Sequence, residues 1–278
     1  MMVRQTLLFL ALAFILASCG GLDTAAIQSL SDKDQKFLRS QNYLSTQHGQ
    51  FYVHYPKGSY ADRQAETYPK ELDEALQRSL ITLGVSSYTE PVHFIVFESR
   101  EDIEAHLGRN RRYLINTKHN VGYLVHNKTY QRPYFTHPLF LLAANKNWGP
   151  PKDLILSVGG AFFADGRCGE YTFPFEDIGT YLLQSQKYIP LRTLMDNYLP
   201  WLQAKEPIAE VEAALLFQFV HDNFNKNRIK QLWRNGIRDI EGIIGLQELE
   251  IAREIEARLR LNTTAQNIDW ATVEGGGC

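Results

Sequence analysis

Phe51-Tyr52-Val53-His54-Tyr55, then Tyr68, Leu72, Ala75, Leu76, Leu80 and Leu83, then Val92-His93-Phe94-Ile95-Val96-Phe97: this stretch reads strand, helix, strand. The first run is aromatic and β-branched and is ended by Pro56 and Gly58, which punctuate a strand. The six residues from Tyr68 to Leu83 recur at helical spacing and give one apolar face, stopped by Gly84. Pro91 opens the second run, whose branched and aromatic residues suit a strand. Next, Ser99 caps a short helix through Leu107, with Asp102 as its capping-box partner and Gly108 closing it. Residues 121–125 and 129–135 read as two further strands, an antiparallel pair by proximity. Upstream, a helix is expected near 32–47.

From Thr136 onward the pattern is helical, over 136–147, 153–165, 176–187, 190–197, 206–224, 226–235 and 246–261. Within 206–224, Ile208, Val211, Leu215 and Phe219 form one stripe. The fold class is therefore α+β: a small N-terminal αβ half with a short mixed or antiparallel sheet, then a mainly helical half.

The first residues speak to location. Arg4, the unbroken apolar run 7–17 and the exit Leu16-Ala17-Ser18-Cys19 have the layout of a secretory signal, and the run is short for a membrane span. Leu-Ala-Ser-Cys resembles the lipobox of bacterial lipoproteins, which implies cleavage before Cys19 and lipid on its sulfur. The expected organisation is a signal peptide over 1–18, a lipidated tether over 19–31, one domain over 32–265 and a flexible tail over 266–278. Gly20-Gly21 lacks the Asp that retains many lipoproteins at the inner membrane, so the outer membrane of the bacterial cell envelope is the expected site. The formal net charge is −2 with no lysine- or arginine-rich run, which gives nucleic acid no electrostatic footing. With Cys19 lipidated, Cys168 and Cys278 remain, and the glycine-rich tail before Cys278 argues against a bridge.

The segments His137-Pro138-Leu139-Phe140-Leu141 and Leu156-Ser157-Val158-Gly159-Gly160-Ala161-Phe162-Phe163 stand on two close helices. Downstream come Phe217-Gln218-Phe219-Val220-His221-Asp222-Asn223-Phe224 and Ile229-Lys230-Gln231-Leu232-Trp233. Together with the element order, these segments resemble the gluzincin metallopeptidases, in particular the peptidase MA-like family, over about residues 50 to 235. That family carries HExxH on the first close helix and a third ligand, Glu, on the second. Histidines at i and i+4 share a helix face and bind zinc while the Glu between them activates water. Carried across, His137 matches the first histidine. Pro138 stands at the general base, Leu141 at the second histidine and Gly159 at the third ligand. One imidazole does not hold zinc. The resemblance thus implies a peptidase-shaped domain without catalytic residues, metal or other cofactor.

A purely structural account reads Thr136 or His137 as a helix N-cap, Pro138 as a first-turn residue, and Gly159-Gly160 as a close approach or bend. An atypical metal site would draw on His137 with Asp165, Glu170 or His126, although Asp165-Gly166-Arg167 reads as a helix C-terminal turn. Neither a nucleophile elbow nor a phosphate loop nor a dinucleotide fingerprint is present. The leading expectation is an envelope-anchored, inactive metallopeptidase-like protein that binds a peptide or envelope protein, in addition to the membrane through Cys19. Tyr130, Tyr134, Phe135 and Trp148 are the aromatic candidates for lining that site, beside an edge strand near 127–135. The alternatives are an active metal-dependent hydrolase around His137 and an unrelated structural lipoprotein.

Overall fold

The computed structural model describes residues 22–166, 173–263, 268–271 and 273. The expected signal peptide over 1–18, the expected lipidation site Cys19 with Gly20 and Gly21, the pair Cys168 and Cys278, and the metal-site candidate Glu170 lie outside the described residues. Among the described residues the N-terminal half holds a five-stranded sheet of order β1-β2-β3-β5-β4. The strands are β1 (Tyr43–His48), β2 (Phe51–Pro56), β3 (Val92–Phe97), β4 (Tyr113–Asn116) and β5 (Val121–Val125). The β1/β2 and β4/β5 pairs are antiparallel, whereas β2/β3 and β3/β5 are parallel. The sheet is mixed, and the fold is α+β. Central β3 is buried along its whole length, as its unbroken apolar run requires.

Helices cover both faces. α1 (Asp32–Ser40) precedes the sheet, α2 (Tyr60–Gln64) and α3 (Tyr68–Leu83) join β2 to β3, and α4 (Arg100–Leu107) follows β3. Gly84 ends α3 at φ +65°, a left-handed cap that glycine adopts without a Cβ penalty. One face of the sheet packs Phe51, Val53, Tyr55, Phe94 and Leu124 into the main core with Tyr68 and Leu72 of α3. The opposite face gathers Ile95, Phe97, Val121, Tyr123 and Val125 with Ile27, Leu30 and Leu38.

The helical half comprises α5 (Thr136–Trp148), α6 (Leu154–Asp165), α7 (Phe175–Gln184), α8 (Leu191–Asp196), α9 (Tyr198–Ala204), α10 (Glu206–Asn223), α11 (Lys226–Asn235), α12 (Ile240–Ile244) and α13 (Glu248–Leu261). α10 is the axis of this half and packs on α6, α7, α9 and α13. No helix among the described residues is long and apolar enough to cross a membrane.

Several local readings change. The helix expected over 32–47 ends at Ser40, and Tyr43–His48 is instead β1, hairpinned to β2. The turn is Gly49-Gln50 with Gly49 at φ +56°, so glycine takes the position that type II′ geometry gives it. Residues 129–135 do not form a strand. The Asn127 side chain accepts from the backbone N–H of Thr129 and Tyr130 at 2.8 and 2.7 Å, closing a turn, and Pro133 has no N–H to give a ladder. The partner of β5, and the sheet edge, is β4. Phe135 holds the N-cap position of α5, so Thr136 and His137 lie inside its first turn with Pro138.

Described residues at both ends pack on the domain. The expected tether docks on the sheet from Leu22: Ile27 and Leu30 are buried, and a 3-10 turn spans Ala26–Ser29. In the expected tail, Ile268 and Val273 are buried and the Trp270 ring stacks on Tyr181 at 5.6 Å.

Two buried polar networks fasten the docked segment and α1. Ser29 Oγ lies 2.9 Å from His93 Nε2, His93 Nδ1 lies 3.1 Å from His54 Nε2, and His54 Nδ1 lies 2.7 Å from Ser45 Oγ. Asp34 lies 2.8 Å from His106 Nε2 and accepts from Tyr123 OH at 3.0 Å and Ser31 Oγ at 2.5 Å.

Candidate functional site at the seam between the halves

His137 is the centre from which the seam is built. α5 begins against β5, where Gly122 leaves the space that Pro138 fills: a Cβ at 122 would lie 2.8 Å from Pro138 Cβ and 2.9 Å from the Phe94 ring. This contact fixes the first turn of α5 and drives His137 fully inside. Its ring meets Phe162 at 4.3 Å, Tyr113 at 4.7 Å and Tyr134 at 5.1 Å. Neither ring nitrogen reaches a hydrogen-bond partner among the described residues. Burial pushes its pKa down to about 3, helped by the nearby guanidinium groups of Arg112 and Arg132, so it is a neutral imidazole.

Asp165, at the C-terminus of α6, is buried and accepts from Arg132 Nη2 at 2.8 Å, with Arg78 Nη2 at 3.7 Å. Its Oδ2 has no hydrogen-bond partner among the described residues. Across the seam, Glu206 at the start of α10 pairs with Arg100 at 3.1 Å and Arg111 at 2.5 Å. One turn on, Glu210 is buried, and burial together with Glu206 lifts its carboxyl well above the usual range. Tyr198 OH and Glu210 Oε2 are likewise buried without hydrogen-bond partners among the described residues.

Arginine and tyrosine alternate along this seam. Arg100 lies 5.6 Å from the Tyr130 ring, Arg112 is 4.2 Å from Tyr130 and 3.7 Å from Tyr134, and Arg132 is 6.0 Å from Tyr134. Beside them runs the edge of β4. Val125 N–H donates to Arg112 O, which with the Tyr113↔Leu124 register places 112, 114 and 116 in the hydrogen-bonded pairs. The N–H and C=O of Tyr113 and Ile115 therefore point off the sheet, and among the described residues no backbone group takes them up.

The expected site residues sort differently. α5 and α6 do pack together, yet Gly159 faces α10: a Cβ there would lie 2.2 Å from Ala213 O. The α6 residue against His137 is Phe162, so a side chain at 159 points away from His137. Tyr134, Phe135 and Trp148 are core residues. Phe135 packs on Phe94 and Tyr68, and Trp148 on Trp233. Of the four aromatic candidates only Tyr130 is half-exposed. His126 is occupied on both nitrogens, by Tyr68 OH at 2.8 Å and Gln131 O at 2.9 Å, and does not join His137.

At the positions of the peptidase pattern, Pro138 and Leu141 carry no donor and Gly159 faces away, and among the described residues no three His, Cys, Asp or Glu come together as ligands. What the seam offers is guanidinium donors, buried carboxyl groups and an open strand edge. Sequence reasoning missed Tyr113, Arg100, Arg111, Arg112, Glu206 and Glu210. The three arginines of Arg109-Asn110-Arg111-Arg112, too few for an extended basic run, and the i,i+4 acids Glu206 and Glu210 were the available signals. The chain matches no protein-family model and no curated protein.

Proposed function

We propose that this chain is a bacterial lipoprotein, held at the outer membrane by lipid on Cys19, whose folded part binds an extended protein segment along β4 without cleaving it. The open N–H and C=O groups of Tyr113 and Ile115, next to the arginine-tyrosine seam, are the observation that carries this reading. A strand added there gains main-chain hydrogen bonds, and the seam's guanidinium groups supply side-chain selectivity. The resemblance to peptidase MA-like proteins led to an expected peptide path beside an edge strand near 127–135; that segment is a turn, so the path is assigned here to the edge that is present, β4. The residues at 138, 141 and 159 supply no water-activating base and no ligand set.

The full-length protein, incubated with a library of quenched fluorescent peptides and added zinc, tests this. The expected outcome is capture of extended peptides without cleavage, lost in Ile115→Pro, which removes an outward N–H that no ladder bond uses. Cleavage that disappears in His137→Ala would establish the hydrolase reading instead. Absence of any capture would leave an architectural role in the envelope.

A further inference from the structure

The docked N-terminal segment carries an inference about which side of the molecule meets the membrane, and it rests on the lipid-anchor reading above. Leu22 already packs against the sheet-face core, and Cys19 is three residues before it. Three steps of extended chain span roughly 11 Å at most. The face from which Leu22 emerges is therefore held close to the lipid.

That face is basic in a chain whose net charge is −2. Lys33, Lys36 and Arg39 are exposed on α1, which is fastened to the segment by Gln35 Nε2 donating to Leu30 O at 2.9 Å. The β4–β5 turn lies alongside, with His119 Nδ1 3.4 Å from Ser29 O, and brings the exposed Lys118. None of Lys33, Lys36 and Lys118 makes an ion pair among the described residues, and Arg39 reaches only Gln35 Oε1 at 3.4 Å. The exposed carboxylates of the segment and α1 are Asp23 and Asp32, and the Asp23 side chain already accepts from the backbone N–H of Ala25 and Ala26. Asp34 is buried in its own network. A shallow hollow of about 490 Å³, lined by Asp32, Gln35, Lys36, Arg39 and Ser40, opens on the same face.

We propose that this face, formed by residues 22–30, α1 and the β4–β5 turn, rests on a bilayer surface carrying anionic phospholipid headgroups, with Lys33, Lys36, Arg39 and Lys118 against the phosphates. A cation within about one Debye length of the headgroups strengthens attachment roughly fivefold. Because the segment is bound to the sheet through Ile27, Leu30 and Ser29, the short link orients the domain as well as tethering it.

Full-length lipidated protein in phosphatidylcholine vesicles with about one phosphatidylglycerol in four tests the orientation. A fluorescent amino acid is placed at position 36, or at exposed position 249 of the helical half, and energy transfer to a headgroup dye is read. Transfer is expected to be severalfold higher from 36 than from 249, and to fall on replacing phosphatidylglycerol by phosphatidylcholine or in Lys33→Glu/Arg39→Glu. Flotation with the vesicles but equal transfer from both positions overturns the orientation alone. Failure to float overturns the anchor reading, and the orientation with it.

Discussion

At the scale of single residues, His137 is a histidine packed as an apolar ring. It is enclosed by three aromatic rings, and its two nitrogens have no hydrogen-bond partner among the described residues. A buried polar atom left unpaired costs about 1–3 kcal/mol, so His137→Phe, which keeps the ring and drops the nitrogens, is expected to be neutral or stabilising by about 1 kcal/mol. His137→Ala leaves a cavity and is expected to cost about 3 kcal/mol. Urea unfolding of the two variants checks both values, and a strongly destabilised His137→Phe would show that the nitrogens are used. Asp34 is the opposite case. Three side chains converge on its carboxylate, so Asp34→Ala strands them and is expected to cost about 3 kcal/mol. Faster proteolysis of the N-terminal segment before global unfolding is the accompanying sign.

At the scale of elements, the decisive contact is between α6 and α10. Gly159→Ala puts a methyl carbon into the Ala213 carbonyl, a backbone group that cannot step aside, and is expected to cost about 3 kcal/mol or more. Gly160 faces the rings of Phe140 and Phe217, which can tilt, so Gly160→Ala is expected to cost less. Thermal melts of the pair rank the two contacts. α3 is legible in the sequence because its apolar residues repeat along one face, and β3 and α10 because their apolar residues are dense enough to be buried on every side. β1 is not, since Ser45, Thr46, Gln47 and His48 carry no such signal and only the hairpin partner makes it a strand. The docked segment escapes notice for a similar reason: Leu22, Ile27 and Leu30 are too sparse to form a pattern. At the seam, the sequence points to His137 but not to the rings around it. Aromatics such as Tyr134 and Trp148, outside any periodic run or at its end, look the same whether they line a cleft or fill a core.

At the scale of the whole molecule, burial sets the response to acid. His54, His93, His126 and His137 are pushed down to about 3, 4, 4 and 3, with burial the largest cause in each. Unfolded histidine titrates near 6.5, so as pH falls below that value the unfolded chain gains protons that the folded one refuses. Stability is lost from there down to the folded values, by up to roughly 1.4 kcal/mol per pH unit for each group. Glu210 and Glu212 act in reverse: their raised pKa costs stability at neutral pH, and the cost shrinks as pH falls toward 4.5. Four bases outweigh two acids, so the net effect between pH 6.5 and 4.5 is a loss of stability as pH falls. Urea midpoints across this window are expected to drop with falling pH, less steeply in His137→Phe. A flat profile would contradict the buried, neutral state of these histidines.

The glycine at 159 also limits what this backbone could be made to hold. Writing the metallopeptidase pattern onto the chain takes three replacements, Pro138→Glu, Leu141→His and Gly159→Glu. On this backbone the last of them drives a carboxylate into the Ala213 carbonyl, away from His137, and the first breaks the fit of Pro138 against Gly122. The spacing of α6 and α10 and the seating of α5 on β5 are adapted to the small and ring-shaped residues they now hold. Building such a centre here would require moving helices apart rather than exchanging side chains, so the distance between this chain and that pattern lies in its backbone spacing as well as in its residues.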